Sequence, residues 1–140
     1  EKFMTQQAKK LVVYTANQAI QKHMADLKEQ QEILIDLADM IIGLYAMDSA
    51  VTRTLQLIDE DGLDASILAR NATRLQATNS FASIRELAER LLTHLAADDP
   101  DKLNSRLEAL DKLSFCPRVD VISLERSIAD AVVEREKYPF

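Results

Sequence analysis

Residues 29–59 read EQQEILIDLADMIIGLYAMDSAVTRTLQLID, a run without proline. Ile33, Leu37, Met40 or Ile41, Leu44, Met47 or Ala46, Val51, Leu55 and Ile58 recur three or four positions apart. That spacing lines one side of a helix and demands a partner surface. At about 1.5 Å per residue the helix is on the order of 45 Å long, the length of a small domain. It cannot bury its stripe against itself, so the other segments are expected to pack along it. Gly43 lies inside the helix, where glycine is about 1 kcal/mol worse than alanine. Close approach of another helix at that point accounts for it. Asp36 and Asp39 share a side, three apart; the reading puts Asp36 in solvent and Asp39 at the edge of the stripe.

Working outward, residues 1–25 form a first helix, with Phe3, Ala8, Leu11, Val12, Ala19 and Ile20 at helical spacing. The break before the long helix holds neither Gly nor Pro, and Asp26 is the side chain best suited to cap there. On the other side, Asp59-Glu60-Asp61-Gly62 ends the long helix, because glycine tolerates the left-handed backbone of a C-terminal stop. Asp64 is the expected N-cap of a third helix, residues 65–97, whose Thr-, Ser- and Asn-rich run 73–83 invites a kink. Asp98-Asp99-Pro100 pairs a cap with a first-turn proline, a strong helix start. A fourth helix then reaches Leu113. Residues 119–122 read as a short extended connector, Ser123 opens a last helix to about Lys137, and Tyr138-Pro139-Phe140 forms a tail. These elements make one all-α domain over residues 1–140, an antiparallel up-and-down bundle with a four-helix core and a short fifth helix.

Composition agrees. Only two glycines and three prolines occur in 140 residues, too few for the frequent turns of a β-rich fold. The net charge of −6 excludes a general nucleic-acid binder, whose affinity comes from neutralising phosphates. Five lysines against Glu1 and Asp26 make residues 1–28 locally basic. A solvated helix face explains that, and a weak lipid-surface contact is the other reading. A single cysteine, Cys116, permits no intrachain disulfide and suits a reducing compartment. No run approaches the ~18 apolar residues of a membrane span, and no signal peptide is visible. The sequence opens on Glu rather than Met, as a piece of a longer product would.

Catalytic constellations are absent from the pattern. His23 and His94 lack a glutamate three positions before them, so the di-iron bundle motif is missing; both read as helix-end polar residues. Zinc needs more Cys or His than the chain offers, and Cys116 reads as a small buried residue. Two distant glycines cannot build a phosphate-binding loop. No catalytic, cofactor-binding or metal residue is therefore assigned. Asp48 and Arg53 belong to the motif that begins around Tyr45; if buried, each needs an interhelix ion pair or hydrogen bond. That is a structural role, and substrate contact is the alternative.

Gln30, Glu32, Ile33, Leu34, Leu37, Ala38 and Asp39, followed by Leu44-Tyr45-Ala46-Met47-Asp48-Ser49-Ala50-Val51 and Arg53-Thr54, resemble the C-terminal extension of acyl-CoA dehydrogenases of the bacterial fatty-acyl and very-long-chain type. Cys116-Pro117-Arg118-Val119-Asp120-Val121-Ile122 and Glu134-Arg135-Glu136-Lys137-Tyr138 resemble the family's closing segment. The resemblance implies an accessory domain of an FAD-dependent oxidoreductase of fatty acid β-oxidation, which converts acyl-CoA to enoyl-CoA. The family's catalytic glutamate and its flavin and CoA sites precede this extension, so the chain itself is expected to hold no cofactor. The resemblance further implies docking on the catalytic core, with Asp39, Tyr45, Met47, Asp48 and Arg53 as the motif residues, and a bacterial cytoplasmic setting. An apolar docking face, once exposed, favours self-association. A free-standing helical interaction module is the alternative.

Overall fold

The computed structural model describes residues 1–135. The elements are α1 (Lys2–His23), a 3-10 helix (Met24–Glu29), α2 (Gln31–Asp61), α3 (Ile67–Leu95), α4 (Pro100–Leu113) and α5 (Val121–Arg135), with no strand among the described residues. The expected end of the last helix near Lys137 and the Tyr138-Pro139-Phe140 tail lie outside the described residues.

Polar pairs between helices fix the topology. Glu1 faces Arg74 at 3.7 Å, and Lys22 Nζ donates to the Leu95 carbonyl at 2.9 Å, so α1 and α3 run parallel. The Thr54 and Thr73 hydroxyls bond, and Asp36 meets Arg90, so α2 runs antiparallel to α3. Arg106 Nε donates to Gln18 and Arg85 Nη2 to Asp111, so α4 runs antiparallel to α1 and α3. The up-and-down order is the expected one. Its hub is α3 rather than α2: α3 packs against each of the other four helices, whereas α2 touches α1, α3 and the 3-10 helix. The cause lies in α3's side chains. Ala77, Phe81, Ile84, Ala88, Leu91, Leu92 and Leu95 are buried, and half-buried Leu68, Ala72, Leu75 and Leu87 continue around the helix.

Leu11, Met40, Met47, Ile84, Leu92 and Leu110 are the largest fully buried apolar side chains, each worth about 1.5–3 kcal/mol of burial. Ala8, Ala19, Ala77 and Ala88, all fully buried, let the helix axes approach. Gly43 serves the same end: a Cβ there would stand 3.3 Å from Ile84 Cγ1. The expected contact of another helix at this glycine is therefore the α2–α3 crossing.

Several local expectations are corrected. Asp26 does not cap α2; the chain turns through Met24, whose φ of 47° is positive, and Gln30 takes the N-cap position without a side-chain bond. Asp64 does not cap α3, which begins at Ile67 after Ser66 Oγ donates to the Gly62 carbonyl. The polar run 73–83 stays helical, because Thr73 and Thr78 turn their hydroxyls onto the Ala50 and Arg74 carbonyls. Residues 121 and 122 are helix, not connector, because Asp120 accepts from the Ser123 N–H at 3.1 Å and from its hydroxyl. Asp99 does cap α4, accepting from the Lys102 N–H, and Gly62, at φ 85°, ends α2. Asp36 is not solvated: it is 5% exposed, with Oδ2 3.3 Å from Arg90 Nε.

Candidate functional site

Two stripes run along α2. The inner one, Ile33, Leu37, Met40, Met47 and Val51, is buried. The outer one begins at Leu34 and continues through Ala38, Ile41 and Tyr45, at steps of four, three and four. Ile42 sits beside it. Tyr45 is 74% and Ile42 64% exposed, and Ile41 and Leu34 also face solvent. Among the described residues only α1, α3 and the 3-10 helix pack on α2, which leaves the stripe facing outward. From Leu34 to Tyr45 it spans about 17 Å at helical rise. Exposed Asp48, three positions after Tyr45 and seven after Ile41, closes the stripe at its C-terminal end. A contiguous exposed apolar surface of this kind marks an interaction site more often than it marks chance.

The residues singled out from the sequence do not share one face. Met47 lies in the core, fully buried. Tyr45 is on the opposite side of the helix. Asp39, Asp48 and Arg53 are exposed, and among the described residues none of the three makes an ion pair. Ile41 and Leu55, placed in the inner stripe by periodicity, face outward, and Leu44 is half-buried against the core. The periodicity assigned Leu34, Ala38 and Ile42 to no face of the helix. Their signal was a second set of apolar positions at three- and four-residue steps in the same run.

His23 ends α1 and His94 lies in the last turn of α3, as expected. Among the described residues no group of three or more His, Cys, Asp or Glu is placed to hold a metal ion. Cys116 is half-buried against the core, and burial pushes its thiol up, away from the reactive thiolate. The carboxyls of Asp99 and Asp120 sit below the ordinary range because N–H and O–H groups of Lys102 and Ser123 bond to them. No helix of the described residues is long and apolar enough to cross a membrane. Gly43 serves a helix crossing and Gly62 a helix end, so the glycine-rich pyrophosphate turn of a Rossmann site is not built among the described residues.

Comparison with known proteins gives a consistent result. Residues 7–112 match the family described as "Acyl-CoA dehydrogenase, C-terminal domain". A probable acyl-CoA dehydrogenase of Bacillus subtilis (strain 168) is 34% identical over 138 residues, which are 99% of this chain and 23% of that protein. The crystal structure of an acyl-CoA dehydrogenase from Bacillus anthracis, complexed with FAD, superposes with a TM-score of 0.93 at 34% identity. It covers 98% of this chain, and 24% of that protein's chain is matched. The chain thus spans about a quarter of the length of these relatives.

Proposed function

From the premise that this chain belongs to the acyl-CoA dehydrogenase family, as its C-terminal domain, we propose that it is the non-catalytic accessory domain of an FAD-dependent acyl-CoA dehydrogenase of fatty acid β-oxidation in the bacterial cytoplasm. It docks on the catalytic core of the same polypeptide through the outer stripe of α2. The observation carrying this reading is the uncharged apolar run Leu34, Ala38, Ile41, Ile42 and Tyr45, exposed on a face of α2 that no other helix of the described residues covers.

Size supports a tethered partner. A stripe about 17 Å long and one helix wide offers far less than the ~800 Å² per partner of a stable interface between separate proteins. A covalent link raises the effective concentration to the order of millimolar, so a small apolar contact suffices. The chemistry proper, with its flavin, belongs to the other three-quarters of the parent polypeptide. Family membership and the bare α2 face together support this reading over a free-standing interaction module.

The test is an Ile42→Lys, Tyr45→Lys pair in the full-length enzyme, read by hydrogen exchange and by limited proteolysis between core and domain. Docking through α2 predicts faster exchange across residues 34–45 and quicker release of an intact domain. Unchanged exchange over those residues would show that another face docks.

A further inference from the structure

A second apolar surface lies away from the outer stripe of α2. The first turn of α1, the final turns of α2 and the first turns of α3 enclose a crevice of about 290 Å³. Phe3, Val51, Leu55 and Ile58 form its apolar walls, and Thr54 and Thr73 also line it. The two threonine hydroxyls are already spent. Thr73 donates to the Ala50 carbonyl, and Thr54, bonded to Thr73, then supplies the proton of that pair. Each hydroxyl has one proton to give, so the crevice offers a ligand methyl groups and no free O–H.

The rim is different. Lys2 and Arg70 line the same crevice, and among the described residues neither lies within ion-pair distance of a carboxylate. The one acidic side chain of the lining, Glu1, is held by Arg74. In a chain of net charge −6, two uncommitted cations beside an apolar slot select for an apolar body with an anionic end. The volume sits at the lower limit of small-molecule pockets, about 300–1,000 Å³. That suits one unbranched chain rather than a fused ring system.

We propose that this crevice binds a single linear apolar chain with an anionic head, the chain lying along Phe3, Val51, Leu55 and Ile58 and the head meeting Lys2 and Arg70. The site is independent of the docking face on α2 and stands or falls without it.

The experiment is an NMR titration of the full-length polypeptide that carries this domain, with labelled Val and Thr methyl groups. The probes are decanoate and decyl phosphate, with decanol and decyltrimethylammonium as contrasts. Saturable shifts at Val51, Thr54 and Thr73 are expected for both anions. Decanol should bind more weakly by about tenfold and the cationic amphiphile not at all. Arg70→Glu should weaken both anions by about tenfold and leave decanol unchanged. Leu55→Trp, which fills the slot from an exposed position, should abolish all binding. Because both side chains are exposed, the fold tolerates either change; Lys2→Glu provides a second rim variant. The head group preferred, carboxylate or phosphate, is read from the two anion arms. Each of these outcomes overturns the proposal: no saturable shift with either anion, unchanged binding in Leu55→Trp, unchanged anion binding in Arg70→Glu, or equal affinity for the cationic amphiphile. Binding to phosphatidylglycerol vesicles without binding of monomeric decanoate also overturns it, since that marks a lipid-surface contact instead.

Discussion

Gly43 offers a sharp check on the α2–α3 crossing. Replacing it by alanine has two opposed effects. A helical interior gains about 1 kcal/mol when glycine becomes alanine. Against this, the new methyl meets Ile84 Cγ1 at 3.3 Å and Cδ1 at 3.4 Å, and overpacking of a filled core costs about 1–3 kcal/mol. Ile84 is 1% exposed, so it cannot swing into solvent to make room. Repulsion therefore wins, and Gly43→Ala should destabilise the chain by about 1 kcal/mol. Ile84→Ala alone should cost about 2–5 kcal/mol, since it opens a cavity in the core. Combined with it, Gly43→Ala loses its obstacle and becomes stabilising by about 1 kcal/mol. The two sites are thus coupled by about 2 kcal/mol, within the range seen for residues in contact. Urea unfolding followed by far-UV circular dichroism gives all four stabilities, provided the m-value is constant. A coupling below about 0.5 kcal/mol, the additivity of distant sites, would refute the crossing at Gly43.

Met24 holds φ 47° and ψ −122°, a conformation that side chains resist, and it is 76% exposed. Met24→Gly should therefore stabilise the chain by about 1 kcal/mol in the same urea assay; a loss would mean that its side chain contributes more than its backbone costs. Asp99 and Asp120 have folded-state values below the ordinary 3.8, so the folded chain binds these protons less readily than the unfolded one. Their stabilisation is complete above pH 3.8 and is lost as pH falls through the folded values. An Asp99→Asn, Asp120→Asn variant should accordingly show a shallower decline of the urea midpoint below that pH than the parent. The isolated chain, with Ile41, Ile42 and Tyr45 bare, should self-associate only weakly in sedimentation velocity, as its concentration approaches the order of millimolar that a tether would supply. Ile42→Lys should return it to monomer; a parent that is monomeric throughout would contradict the exposed stripe as an adhesive surface.

Features set by neighbours in sequence were legible. Asp99-Pro100 and Gly62 act within one helical turn, so their chemistry announces the boundaries of α4 and α2. The inner stripe of α2 follows from a repeat that needs no knowledge of its partner. Features set across the fold were not legible. Asp36 looked solvated because its partner, Arg90, lies on α3. Thr73 looked like a helix breaker because its acceptor is the Ala50 carbonyl of α2. The hub role of α3 was hidden by its many small and polar residues, which look weakly amphipathic but pack on several sides. The start of α5 was a different failure: Asp120 and Ser123 form a local cap, but the apolar residues around them imitate a strand. The outer stripe of α2 was written in the sequence, and reading a single stripe per helix concealed it.

The alternation of the helices also governs how the chain reaches its fold. α1 with α2, α2 with α3, and α3 with α4 are each antiparallel neighbours joined by a short connection. Most contacts therefore close small loops, and helical proteins of such low contact order fold in about microseconds to milliseconds. α5 stands apart, since among the described residues α3 is the one helix it rests on. Its surface does not exist until α3 is packed, so α5 is the last helix to be captured and the first to be released.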